Sequence, residues 1–174
     1  MTDTLLTRLY AHHNWANDAL VAACAGLPAE VLDADPLPGA GGWSVRRTLA
    51  HVAEAQQAYV NVLTHPERER VRIELADDEV AGSLRATGEA LLDMARRWDD
   101  GAGEGGGVVE APLRSADGHV IAPWVVLLQA INHATDHRRQ ICGQLRALDV
   151  TPPRLDGWQL GEEAGGLERP VGAD

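Results

Sequence analysis

The chain has 174 residues, of which 45% are hydrophobic and 24% charged, and its formal net charge is −11. This length suits one domain with a hydrophobic core, and an acidic chain without a basic stripe argues against a nucleic-acid partner, because phosphate binding needs clustered positive charge. No apolar run is long enough for a membrane span and the first residues do not resemble a signal peptide, so we expect one cytoplasmic domain over residues 1–174.

Four segments have apolar residues spaced three and four apart, which predicts amphipathic helices. They cover about residues 3–26, 44–64, 77–101 and 122–149. Ser44 suits an N-cap, Asp77 and Asp78 suit the positive end of a helix dipole, and Pro123 suits a first helical turn. Four such helices can cover one another's apolar stripes, which predicts an all-α four-helix bundle.

The segments outside the four helices carry weaker signals. Asp117-Gly118 lies between two extended runs and predicts a short β-hairpin or extended loop between the third and fourth helices. Residues 155–174 have no periodicity, so we expect an extended tail whose first part packs on the bundle through Trp158. Cys24 and Cys142 lie within apolar helical patterns, which favours two buried thiols over a disulfide. The GxGxxG pattern at 101–106 follows a helix rather than a strand, so we interpret it as a flexible loop.

The strongest chemical signal is the pair His133 and His137 in the sequence HATDH. Residues four apart lie one turn above each other on the same face of a helix, so the two imidazoles can bind one metal ion. The pair lacks the glutamate of a metalloprotease helix. The alternative is two surface histidines.

A third ligand would strengthen the metal hypothesis, and His51 is the best candidate. It lies at the edge of the apolar face of the second helix, beside small residues that leave room for an ion. The alternative is a half-buried histidine bonded to a carbonyl. His12 and His13 fall within the stripe of the first helix, where packing is the favoured role, although either could complete a metal site. His65 and His119 are interpreted as surface residues.

Several short stretches, taken together in order and spacing, resemble the DinB/YfiT-like superfamily of metal-dependent enzymes. They are Trp15-Ala-Asn17, Trp43-Ser44, Leu49-Ala-His51-Val, His133 to Ile141 and Leu155-Asp-Gly-Trp158. The resemblance implies an up-up-down-down bundle, a metal ion held by His51, His133 and His137, and often a homodimer. Relatives include thiol S-transferases that use bacillithiol or mycothiol, and maleylpyruvate isomerases. Arg139 departs from the family pattern, because many relatives have glycine there.

These residues suggest a metal-dependent hydrolase or thiol S-transferase that acts on a small electrophile. Three neutral imidazoles would leave the charge of Zn²⁺ or Ni²⁺ intact, so that a bound water would ionise near pH ~7 and a low-molecular-weight thiol would become a thiolate. Asp136 or Gln140 could orient a ligand imidazole. The alternative is a non-catalytic metal-binding protein with a stress-response or interaction role, and a third possibility is a bundle that binds no metal.

Overall fold

Six helices and two short strands make up the described part of the chain. The computed structural model describes residues 4–34, 42–65, 73–99, 112–114 and 118–167. In chain order the elements are α1 (Leu5–Ala25), α2 (Ala29–Asp33), α3 (Val45–Thr64), α4 (Asp77–Asp99), β1 (Leu113–Arg114), β2 (Val120–Ile121), α5 (Pro123–Ala147) and α6 (Gly157–Glu163). The long helices α1, α3, α4 and α5 pack together as a bundle, which confirms the all-α fold. None of the described helices is both long and apolar enough to cross a membrane.

The ends of the long helices follow local sequence signals. The Thr4 hydroxyl accepts a hydrogen bond from the Thr7 amide at 3.2 Å, and the Ser44 hydroxyl accepts one from the Arg47 amide at 3.2 Å. Both are N-caps that satisfy an amide without a partner inside the helix. Acidic residues occupy the first turn of α4 and two arginines its last turn, which complements the helix dipole.

The connection between α4 and α5 contains the predicted hairpin. Leu113 pairs with Ile121 and Arg114 with Val120 in antiparallel register. Gly118 has a φ of 89°, a conformation that favours glycine. Leu113 is buried in the core, so it anchors the connection to the bundle. The pattern at 101–106 lies outside the described residues.

The prediction of an up-up-down-down bundle is wrong, as contacts between the long helices show. The Tyr10 hydroxyl donates to the Leu127 carbonyl at 2.7 Å, and Arg138 donates to Asn17 at 2.8 Å, so α1 and α5 run parallel. On α4, Arg85 lies 3.5 Å from Asp18 and Gly88 lies against Asn14, so α4 is antiparallel to α1.

Helix α3 is antiparallel to both α1 and α5. Gln144 near the end of α5 reaches the carbonyl of Trp43, just before α3, at 2.6 Å, whereas Tyr59 near the end of α3 contacts His133. The bundle is therefore up-down-down-up in chain order. Apolar stripes carry no direction, and the connection over residues 65–76 is long enough to run back along the bundle, which allows α3 and α4 to be parallel.

A layer of buried polar side chains crosses the middle of the bundle. We call it the central polar network; its members are His13, Asn17, Gln56, Thr87 and Arg138. The Gln56 Oε1 atom lies 2.7 Å from His13 Nε2 and accepts from Asn17 at 3.1 Å. The Gln56 amide nitrogen donates to the Leu84 carbonyl at 2.9 Å and to Thr87 at 2.6 Å. With the bond from Arg138 to Asn17, the network joins all four long helices.

Apolar clusters fill the bundle on either side of this network. One is centred on Tyr10, Leu63 and Leu91, and another on Leu20, Val45 and Ile141. Cys24 and Cys142 belong to the second cluster and are buried free thiols, as predicted. His13 is fully buried in the network, which confirms its packing role.

The C-terminal segment contains a short helix, α6, so the prediction of a wholly extended tail is wrong. Helix α6 forms there because Asp156 caps it, accepting from the Gln159 amide at 3.0 Å. Trp158 is 69% exposed and does not pin the segment. Instead, His12 Nε2 donates to the Leu155 carbonyl at 3.0 Å, and Trp15 donates to Glu163 at 2.8 Å.

The burial of His13 makes stability depend on pH. Burial first, and the charge of Arg138 second, lower the pKa of His13 from 6.5 to about 4. The unfolded chain therefore takes up this proton at higher pH than the folded chain, and stability is lost as pH falls from 6.5 towards 4. We expect His13 to account for a loss of about 3 kcal/mol in the free energy of unfolding between pH 7 and pH 4.

Urea unfolding of the metal-free protein at several pH values checks this expectation. His13→Gln should flatten the pH profile relative to wild type, whereas His65→Gln, at an exposed position, should leave it unchanged. A His13→Gln profile as steep as that of wild type would contradict the assignment.

Candidate metal centre

Three histidines from two helices meet at the interface of α3 and α5. His51 is in α3, and His133 and His137 lie one turn apart in α5. Because the two helices are antiparallel neighbours, the pair in α5 faces the single histidine in α3. One ligand atom from each ring lies within 4.8 Å of the others, and all three residues are half-buried.

The spacing of the nitrogens fits a shared ion. The Nε2 atoms of His51 and His133 are 3.1 Å apart. Two nitrogens bound to one tetrahedral Zn²⁺ at the usual bond length would be separated by about 3.3 Å. Imidazole is a common ligand for Zn²⁺ and Ni²⁺, so the donor set also fits. The arrangement can therefore hold a divalent ion with three nitrogen ligands.

The electrostatics of the cluster favour neutral imidazoles. Burial, followed by the neighbouring His137 and His51, lowers the pKa of His133 from 6.5 to about 4. Burial also lowers the pKa of His51, with His137 and Arg47 adding to the effect. A metal ion binds the neutral form of imidazole. Since these rings are already neutral at neutral pH, a metal ion would not have to displace protons from them.

Gln140 orients one of the three rings. Its Oε1 atom lies 2.9 Å from His137 Nδ1, and an amide oxygen can only accept, so Nδ1 carries the proton. The Nε2 lone pair of His137 is then the one available to a metal ion. Asp136 is exposed and acts on His133 through its charge, which raises the pKa of that ring against the larger lowering effects.

The other histidines do not join the cluster. His12 bonds the Leu155 carbonyl, and His13 belongs to the central polar network. His65 and His119 are exposed, as predicted. Within the described ranges, His51, His133 and His137 form the one group of histidine, cysteine or acidic side chains placed to share a metal ion.

Two aromatic rings lie against the three-histidine cluster. The Trp43 ring lies 4.7 Å from the ring of His51 and is nearly parallel to that of His137 at 6.2 Å. The Tyr59 ring meets His133 edge-on at 5.8 Å. The bond from Gln144 to the Trp43 carbonyl fixes the backbone from which this tryptophan projects.

A charged pair that the sequence reasoning did not single out lies at the rim. Arg47 and Glu54 contact each other at 3.0 Å, and the guanidinium carbon of Arg47 lies 5.3 Å from the centre of the Trp43 ring. Their spacing from His51, four residues before it and three after it, places them on its side of α3 and could have indicated them.

Comparisons with known proteins identify the family. The model of the DinB family matches residues 1–168 of the chain. A crystal structure of a DinB family member from Exiguobacterium sibiricum superimposes with a TM-score of 0.65 at 16% identity, covering 89% of this chain and 100% of that one. At this identity the structural match shows a shared fold alone. A search of curated proteins finds no match. From the match over residues 1–168 it follows that the chain belongs to the DinB family.

Proposed function

We propose that the protein is an enzyme that holds one Zn²⁺ or Ni²⁺ ion at His51, His133 and His137 and uses it to activate water or a low-molecular-weight thiol. The substrate would be a small electrophile, so the reaction is hydrolysis or thiol S-transfer. The supporting observation is the convergence of three half-buried imidazole nitrogens within 4.8 Å. When bound, a divalent ion with three neutral ligands retains its charge and lowers the pKa of a coordinated water or thiol.

The surroundings of the cluster favour an enzyme over a closed, non-catalytic metal site. A closed site needs a fourth protein ligand. His12 and His13, the histidines that could have supplied it, form hydrogen bonds elsewhere. The three histidines are half-buried rather than sealed, and Trp43 and Tyr59 beside them are half-buried too. A small molecule can therefore approach the position that a tetrahedral ion would leave open.

Elemental analysis of the tag-free protein tests the proposal. We expect about one equivalent of Zn or Ni per chain after purification or after incubation with the ion. The loaded protein is then assayed for thiol addition to small electrophiles and for ester and amide hydrolysis, with the metal-free protein as the control. A protein that takes up neither ion would contradict the proposal, and a loaded protein inactive in every assay would favour the non-catalytic alternative.

Gln140 provides a prediction about metal affinity. Removing its amide oxygen in Gln140→Ala frees the His137 ring to rotate and removes the partner of its Nδ1 proton. Changes to such orienting partners typically weaken metal binding roughly 10–100-fold, and we expect a loss in that range. Competition with a chelating dye measures the affinity. Arg139→Ala, at the exposed neighbouring position, is the control; an equal effect in both variants would remove the assigned role of Gln140.

A further inference from the structure

The ion pair at the rim places a positive group next to the three-histidine cluster. Arg47 lies one helical turn before His51 in α3, on the same side of the helix. The guanidinium also lies against Trp43, whose ring contacts His51. Arg47 is therefore a neighbour of the position where a substrate would meet the cluster.

The ion pair holds the guanidinium while leaving one edge open. Both carboxylate oxygens of Glu54 accept from the same nitrogen of Arg47, Nη1, at 3.0 Å. Among the described residues, Nε and Nη2 of this arginine have no hydrogen-bond partner, and the side chain is 40% exposed. The Glu54 side chain is 11% exposed. Glu54 thus fixes the cation through Nη1, and the Nε–Nη2 edge of this partly exposed side chain is left without a partner among the described residues.

This free edge has the geometry that recognises a planar oxyanion. Nε–H and Nη2–H point in parallel and match the two oxygens of a carboxylate. A single negative charge suits the pair better than a phosphate dianion, because Glu54 already neutralises much of the arginine and would repel a second charge. We propose that Arg47 binds a carboxylate group of the small molecule that reacts at the three-histidine cluster. This inference rests on the proposed function and narrows it to carboxylate-bearing ligands.

The test compares two small thiols at the metal-loaded site. The protein is loaded with Co²⁺, whose thiolate complexes absorb light, and titrated with 3-mercaptopropionate and with the neutral 2-mercaptoethanol. Both thiols can reach the metal, but only the first carries a carboxylate. The measured quantity is the ratio of the two dissociation constants in each variant, so differences in intrinsic thiol chemistry cancel between variants.

Arg47→Gln is expected to lower the preference for 3-mercaptopropionate about tenfold or more, the size of a lost charge-assisted hydrogen-bond pair. Arg46→Gln should keep the wild-type ratio, because Arg46 pairs with Asp33 and Asp77 rather than with residues at the cluster. Uptake of one equivalent of Co²⁺ by both variants, with a visible spectrum like that of wild type, shows that the site itself is intact.

The outcomes separate this inference from the proposed function. If Co²⁺ is not taken up, or neither thiol changes the spectrum, the proposed function fails and the inference fails with it. If both thiols bind and Arg47→Gln leaves their ratio unchanged, the role of Arg47 is overturned while the metal site stands. Should Arg47→Gln not fold, Arg47→Lys takes its place. A lysine keeps the charge but not the planar fork, so the ratio should fall several-fold, and an unchanged ratio overturns the inference.

Discussion

His137→Ala and His51→Ala are each expected to be purified without the metal ion that we propose for the three-histidine cluster. Metal-binding free energies of about 10–16 kcal/mol at four-ligand zinc sites correspond to roughly 2.5–4 kcal/mol per ligand, so removing one imidazole should weaken binding roughly 10²–10³-fold. The loss should be similar for both variants, because each ring supplies one of three converging nitrogens. Elemental analysis gives the metal content, and dye competition gives the residual affinity.

The matched control for the ligand variants is His65→Ala. This histidine is exposed at the end of α3 and bonds the neighbouring Thr64 hydroxyl, so its removal should leave metal content and affinity unchanged. Circular dichroism on every variant shows whether the bundle is still formed. A folded His137→Ala protein that retains one equivalent with wild-type affinity would remove the assignment of the site.

Gln56→Leu is expected to lower the free energy of unfolding by roughly 2–6 kcal/mol. Leucine matches the size of glutamine but cannot hydrogen-bond, so the buried donors on His13 and Asn17 lose their shared acceptor. Each unsatisfied buried donor costs about 1–3 kcal/mol. The loss of the bonds from Gln56 to Leu84 and Thr87 adds to this cost. Urea unfolding followed by circular dichroism measures the change.

Gln57→Leu serves as the control at the next position. Gln57 is half-buried, and its side chain makes only an exposed bond to Asn61 one turn away, so its substitution should change stability by about 0.5 kcal/mol or less. Because both variants exchange glutamine for leucine in the same helix, helix propensity cancels between them. Equal destabilisation by the two substitutions would show that the central polar network contributes no special stability.

The sequence predicted the four long helices and the pair His133 and His137 because both depend on local spacing. Apolar residues three and four apart define a helix whatever its neighbours are, and histidines four apart share a face on any helix. The positions of His133 and His137 relative to each other were therefore fixed by the sequence pattern. The approach of His51 depends on how α3 packs on α5; its place at the edge of the apolar face made it a candidate, and the resemblance to the family implied the pairing.

The sequence did not predict features that depend on packing between helices or on one N-cap residue. The directions of α3 and α4 depend on how the helices pack on one another, as where Gly88 of α4 lies against Asn14 of α1, and no apolar stripe encodes this. Helix α6 is shorter than two periods of a helical pattern, so only its cap, Asp156, could have indicated it. Gln56 occupies a core-facing position between Val52 and Val60, and a polar residue at such a position indicates a buried network.

The central polar network also prevents the helices from sliding along one another. Apolar side chains can exchange contacts when a helix shifts by one turn, about 5.4 Å, but hydrogen bonds between specific groups cannot. Gln56 follows His51 in α3, and Arg138 directly follows His137 in α5, so a shift of α3 against α5 that separated the histidines would also break the network. The central polar network thus holds α3 and α5 in the register that brings the three imidazoles together, and it does so without a metal ion.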